Sequence, residues 1–138
     1  MWRLIRFVFL VLFIITGACK SDPPAPTGEL TITSPLAGAK VKNPVEVCFG
    51  IEGLILEASS AGVKPDTGHH HILIDVPVPS LTRPIPKNDT HIHMGDGSKC
   101  HTLTLTPGKH RIRGLFARGN HVPFAPAVTA QVDIEVIP

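Results

Sequence analysis

The stretch "GHHHILID", residues 68–75, carries the pattern that decides the fold. From residue 70 onward its even positions read His, Ile, Ile, while its odd positions from 69 onward read His, His, Leu, Asp. A period of two residues is typical of a β-strand, in which successive side chains point to opposite faces. The even face is the more apolar, so we expect it to face the core and leave His69 and His71 on the other side.

Similar alternation recurs along the chain. Six runs predict strands: 29–34, 45–51, 70–76, 101–106, 110–117 and 128–137. Turn residues separate most of them, as in "SPLAGAK", "TPGK" and "ARGN", and no segment has a capped helical pattern. Four prolines between residues 76 and 87 predict one long irregular loop. The sequence therefore predicts an all-β domain over residues 29–138, an immunoglobulin-like antiparallel β-sandwich of about seven short strands.

The first residues read as a targeting segment. Arg3 and Arg6 precede an apolar run that ends in "TGAC", which is typical of a signal peptide over residues 1–18. Cleavage before Cys19 would make this cysteine the lipidation site of a bacterial lipoprotein, and the proline-rich segment 19–28 would be a tether. We expect an outer-membrane lipoprotein that faces the periplasm and meets the membrane through its lipid anchor. Plain secretion to the periplasm is the alternative, because Thr16 stands where such motifs usually carry leucine.

The amino-acid composition limits the classes of partner that the domain is expected to bind. Without the signal peptide the chain has as many acidic as basic residues, so nothing indicates a nucleic-acid partner. Trp2 leaves with the signal peptide, tyrosine is absent, and only three phenylalanines remain for stacking. Nucleic acid and carbohydrate are thus disfavoured, and an envelope protein or a metal ion is the expected partner.

A second histidine pair follows the first. In "THIHM", residues 90–94, an extended backbone would place His91 and His93 on one face. If this segment lies beside His69 and His71, four imidazoles come within reach of one Zn²⁺ or Cu²⁺ ion. His121 in "GNHVP" is a further candidate ligand.

Three carboxylates lie near these histidines in the sequence. Asp75, Asp89 and Asp96 could accept hydrogen bonds from the rings and so orient them toward a metal ion. The alternative is that the histidines form a hydrogen-bonded structural rim at the loop ends, and the sequence leaves both readings open. For His70, His101 and His110 we expect hydrogen-bonded positions at the core edge, and Met94 is expected to fill the core.

The two cysteines of the mature chain form an even pair. In an oxidising compartment Cys48 and Cys100 are expected to form a disulfide. The rival reading makes a thiolate a metal ligand beside the histidines.

Several motifs together carry a family resemblance. "TGHHHILID", "PIPKNDTHIHMGDG", "LTLTPGKHRIRGLFARGNHVP" and "VTAQVDIEVI" resemble the bacterial family called domain of unknown function 4399. The resemblance implies a small secreted or lipid-anchored envelope domain with no assigned activity. The family usually reads like "NHIPH" where this chain has "NHVPF", so a site that needs the second imidazole would be incomplete at Phe124.

Enzymatic readings find less support. Copper/zinc superoxide dismutase also builds a histidine metal site on such a sandwich, but the likeness stays at the level of the fold. The chain has no G-x-S-x-G or H-E-x-x-H motif for hydrolysis. We therefore expect a metal-binding envelope domain without catalytic residues; a non-catalytic interaction module and a metal-dependent oxidoreductase or hydrolase are the alternatives.

Overall fold

The computed structural model describes residues 27–138, which form an all-β domain, as predicted. Its strands are β1 (Glu29–Ser34), β2 (Lys40–Val41), β3 (Val45–Glu52), β4 (Ile55–Leu56), β5 (Thr67–Ile74), β6 (His91–His93), β7 (Cys100–Leu103), β8 (Gly108–Ala117) and β9 (Thr129–Val136). A 3₁₀ turn spans Ser59–Ala61. The predicted signal peptide, Cys19 and most of the tether lie outside the described residues. Within these residues no helix has the length and apolar character needed to cross a membrane.

The strands form two sheets in a sandwich-like arrangement. One sheet has the order β1-β3-β7, and the other has the order β2-β9-β8-β5. Strand β5 pairs with β8 along one edge. Along its other edge it pairs with β4 at the beginning of β5 and with β6 further along. The long pairs are antiparallel, as expected, whereas the two-residue strands β2 and β4 run parallel to their partners. The sequence analysis did not predict these two short strands or their parallel pairing.

The main core lies between the two sheets. Val47 and Phe49 from one sheet pack with Ile72, Ile112 and Phe116 from the other, and all five side chains are buried. The even-numbered face of β5 is thus the core face, as predicted. Met94 also belongs to this core, which confirms the prediction that it fills space there.

Strand β5 is buried on its outer face as well. Leu73 packs there with Ile85, Leu115 and Ala117 in a second, smaller apolar cluster. Ile85 comes from the irregular segment after β5, so the predicted proline-rich loop is confirmed and folds back over the sheet. Every residue of β5 is consequently buried.

A disulfide joins Cys48 and Cys100, as expected from the sequence. The two cysteines are register partners on β3 and β7, and their Cα atoms are 4.1 Å apart. Both therefore belong to the sheet that does not contain β5, so the alternative of a thiolate ligand beside the histidines was wrong. A cross-link over a separation of 52 residues typically stabilises a domain by about 2–4 kcal/mol.

Candidate metal centre

Two strands bring histidines from distant parts of the sequence side by side. Strands β5 and β6 pair antiparallel with His71 opposite His93, so the assumption that the two histidine segments lie together was correct. Paired residues point to the same face of a sheet, with Cβ atoms about 5 Å apart. His69, two residues before His71, shares this face. Because the loop after β5 covers the sheet, His69 and His71 are almost completely buried.

A tight turn supplies a fourth imidazole. The backbone N–H of His121 donates to the carbonyl oxygen of Arg118 (2.7 Å). The N–H of Arg118 in turn donates to the carbonyl oxygen of Val122 (3.0 Å). His121 adopts a φ of 65°, in the left-handed region that few residues other than glycine occupy. The N–H of Ile85 donates to the His121 carbonyl oxygen (2.9 Å), which ties this turn to the loop over β5. The turn therefore holds His121 beside the β5 histidines.

The resulting histidine cluster consists of His69, His71, His93 and His121. One ring nitrogen from each residue lies within 4.8 Å of the other three. Nε2 of His71 is 3.0 Å from Nε2 of His69, which is 3.2 Å from Nδ1 of His121. A tetrahedral zinc ion with Zn–N bonds of about 2.0–2.1 Å would hold its four nitrogens roughly 3.3 Å apart. These two spacings are close to what one ion requires, and no ligand pair of the cluster is more than 4.8 Å apart.

Hydrogen bonding leaves much of the cluster unsatisfied. Nδ1 of His69, Nδ1 of His71 and Nε2 of His93 are buried without a hydrogen-bond partner among the described residues. Buried polar atoms in folded proteins almost always have a partner. The contacts of 3.0 and 3.2 Å between ring nitrogens are also within hydrogen-bond distance. An ion bound to Nε2 of His69 and His71 would leave their Nδ1 atoms unpaired as well, so the unpaired atoms alone do not distinguish a metal centre from a hydrogen-bonded structural rim.

Three of the four cluster imidazoles have a pKa below the ordinary value. Burial, and then repulsion from the neighbouring imidazoles, lowers the pKa of His69 from 6.5 to about 4 and that of His71 to about 2. The pKa of His93 is also lowered, first by burial and then by His121 and Lys87. An imidazole must be deprotonated to bind a metal ion. The site therefore holds these rings in the form that a metal requires.

His91 lies outside the cluster, although the sequence analysis grouped it with the other candidates. It is paired with Leu73 and not with a histidine, and its Nδ1 is 3.0 Å from both the Thr90 hydroxyl and the Asn88 side-chain oxygen. His91 is not among the residues whose ring nitrogens lie within 4.8 Å of one another. His121 takes the place that the sequence analysis gave to His91.

The three candidate carboxylates also lie apart from the cluster rings. Asp75 accepts hydrogen bonds from the His110 ring and the Arg111 N–H, both at 2.7 Å. Asp96 is exposed and accepts from the Ser98 N–H, although its charge acts on the pKa of His93. Asp89 is exposed beside His91. Within residues 27–138, then, no carboxylate accepts a hydrogen bond from a ring of the cluster.

Phe124, which stands where the family usually has a second histidine, is not part of the histidine cluster. Its ring stacks on Phe116 with a centroid distance of 5.9 Å and lies in the main core. The guanidinium of Arg118 lies over its other side, 4.2 Å from the ring centroid. Four histidines converge without a contribution from position 124, so the doubt that the sequence raised about His121 does not apply to this cluster.

Comparison with known proteins identifies one family. The family described as domain of unknown function DUF4399 matches residues 47–137, which include all four histidines of the cluster. No curated protein and no solved structure matches the chain.

Proposed function

The chain belongs to the DUF4399 family, a family defined by a domain of unknown function, and from the residues of this member we propose that the domain binds one Zn²⁺ or Cu²⁺ ion through its histidine cluster. One observation carries the proposal. Four imidazole nitrogens from β5, β6 and a separate turn converge within 4.8 Å, and the rings are largely buried. Nitrogen donors of this kind suit zinc and copper.

The ligands are held in place by the fold itself. β5 pairs with β8 along one edge and with β6 along the other, and hydrogen bonds within its own turn hold His121. Binding would therefore require little ordering of the chain, which favours affinity. A site preformed by strand pairing and a turn suits an ion that is stored, delivered or sensed.

Four protein ligands indicate a binding role over catalysis. Catalytic zinc sites usually have three protein ligands and keep an open position for water or substrate, whereas structural sites use four. His69 and His71 are buried, while His93 and His121 are only half-buried, so an ion would reach the cluster from their side. We place the domain in the cell envelope, anchored through Cys19 or secreted, because the first eighteen residues read as a signal peptide.

Metal titration of the purified protein tests the proposal. Calorimetry with Zn²⁺ and Cu²⁺, together with elemental analysis, should give one ion per chain. His93→Ala should weaken binding at least about tenfold, the least expected when even a residue that orients a ligand is lost. His91→Ala is the matched control on the same three-residue strand and should bind as the wild type does. If neither metal binds stoichiometrically, the proposal fails, and a non-catalytic envelope interaction module becomes the better reading.

A further inference from the structure

The His93 ring lies directly over the backbone of Gly95. A Cβ atom built on Gly95 would be 2.0 Å from Cε1 and 2.3 Å from Nε2 of His93, whereas real Cβ contacts essentially never fall under 3.0 Å. The backbone of Gly95 does not have a positive φ, so its conformation does not require glycine. The reason for glycine at this position is therefore steric, because the imidazole occupies the volume that any side chain at position 95 would fill.

The Gly95 backbone is fixed by Ser59, whose hydroxyl oxygen would also lie 2.8 Å from the built Cβ atom. The Gly95 carbonyl oxygen accepts hydrogen bonds from the backbone N–H of Ser59 (2.9 Å) and from the Ser59 hydroxyl (3.1 Å). The preceding residue is also held, since the N–H of Met94 donates to the His70 carbonyl oxygen (3.1 Å). A side chain at position 95 could not be accommodated by a shift of this backbone alone, so the His93 ring would have to move.

Little else determines where the His93 ring points. Its Nε2 is buried without a hydrogen-bond partner in the described part of the chain. Its ring neighbours in the cluster are other imidazoles, with centroids 4.7 Å away at His121 and 5.0 Å away at His69. These ring contacts alone do not turn His93 toward a common centre. The contact with Gly95 is therefore the steric constraint that keeps His93 turned toward the other three.

We propose that Gly95, held by Ser59, is a positioning residue of the metal centre that keeps the His93 imidazole in the ligand position. The expected effect of Gly95 on metal binding rests on the proposed function. The effect of Gly95 on the position of the His93 ring does not require a metal. The proposal also assigns a role to the 3₁₀ turn Ser59–Ala61, whose first residue binds the Gly95 carbonyl oxygen.

Copper spectroscopy on Gly95→Ala tests the proposal. Electron paramagnetic resonance of the wild-type Cu²⁺ complex should show four coordinated nitrogens, and the variant should show three. The dissociation constant should rise about 10–100-fold, as is typical when a residue that orients a metal ligand is lost. Gly97→Ala is the control in the same loop: its φ of +78° makes alanine strained, but the three atoms nearest to its Cβ would belong to the backbone of Glu57 and Ala58 and not to His93. It should lose stability and keep four nitrogens. Equal nitrogen loss in both variants would overturn the proposal, because loop integrity would then explain the effect.

A double-mutant cycle in the metal-free protein separates this inference from the proposed function. Gly95→Ala should destabilise the wild type more than a His93→Ala background, in which the ring is gone and only the Ser59 hydroxyl, 2.8 Å from the added Cβ atom, has to shift. The double variant should fold even where the single variant does not. An equal loss in both backgrounds would overturn the role of Gly95, whether or not the wild type binds metal. Absence of metal binding in the wild type, combined with the expected cycle, would refute only the proposed function.

Discussion

Three consecutive histidines of β5 occupy two unrelated environments. His69 and His71 face the histidine cluster, whereas His70 lies in the main core, stacked on Phe49 (centroids 4.9 Å apart) and edge-on to Phe116 (5.1 Å). Both ring nitrogens of His70 lack a hydrogen-bond partner among the described residues. The prediction of a core position was correct, but the expected hydrogen bond is absent within residues 27–138. His70 therefore carries the desolvation cost of a buried polar ring without the usual compensation.

Replacement of His70 should stabilise the domain. His70→Leu removes two unpaired polar atoms and keeps an apolar side chain of moderate size, so we expect the free energy of unfolding at pH 7 to rise by about 1–2 kcal/mol. Urea denaturation followed by circular dichroism measures this change. Metal affinity should stay the same, since the ring faces away from the cluster. A loss of stability would show that the imidazole has a partner in solution.

A salt bridge fastens the end of β5 to β8. His110 donates through Nδ1 to the Asp75 carboxylate (2.7 Å) and through Nε2 to the Thr106 carbonyl oxygen (2.8 Å). Burial alone would lower the pKa of His110, but these two bonds and the charge of Asp75 outweigh it and raise the pKa above 6.5. Burial would raise the pKa of Asp75, yet bonds from the Arg111 N–H and from His110 lower it below 3.8. Asp75 thus contributes to the contact between strands and not to the metal centre.

This salt bridge should give a pH-dependent contribution to stability. The folded pKa of His110 lies above 6.5, so its contribution is complete below that pH and is lost as the pH rises through the raised value. The contribution of Asp75 is present above 3.8 and is lost as the pH falls. Because the Asp75 side chain is 47% exposed, we expect only about 0.5–1 kcal/mol. Urea unfolding from pH 5 to 9 should show wild type losing this advantage over Asp75→Asn above pH 6.5. A constant difference would contradict the prediction.

Alternation within a strand could be read from the sequence, whereas contacts between elements could not. The period of two in β5 predicted which residues face the core, because side-chain direction follows from local backbone geometry. It did not predict that Leu73 would lie opposite His91, since that depends on the register between β5 and β6. Nor could it show that the turn after β8 brings His121 to the cluster. Gly95 gave no signal in a single sequence, because its role depends on the volume of a ring two residues away.

The buried histidines should make the whole domain sensitive to acid. Burial lowers the pKa of His69 and His70 to about 4 and that of His71 to about 2, below the unfolded value of 6.5. Stability from these groups is therefore complete above pH 6.5 and falls with the pH below it. Three protons taken up on unfolding would cost roughly 4 kcal/mol per pH unit, a large share of the 5–15 kcal/mol typical of a domain.

Acid titration of the metal-free protein checks this expectation. Circular dichroism should show cooperative unfolding, with a midpoint between about pH 4 and 5.3 for a domain whose stability at neutral pH is about 5–10 kcal/mol. Saturating Zn²⁺ should move the midpoint to lower pH, because an ion bound only by the folded state adds to its stability. His70→Leu should also lower the midpoint, since it removes one of the three groups. A metal-free protein that stays folded at pH 3 would contradict the expectation.

Strand β5 is buried on both faces. Its even-numbered residues face the main core, whereas His69 and His71 face the histidine cluster, so neighbouring residues have different roles. Insertion or deletion of one residue within "GHHHILID" would exchange the two faces, so that core positions and ligand positions would swap. Such a change would remove both the fold and the site at once. Substitutions that preserve the strand register act differently, because changes at positions 69 and 71 would alter the histidine cluster while the even positions keep the main core. The cluster could therefore diversify during evolution, or be redesigned for another metal, on a scaffold that stays constant.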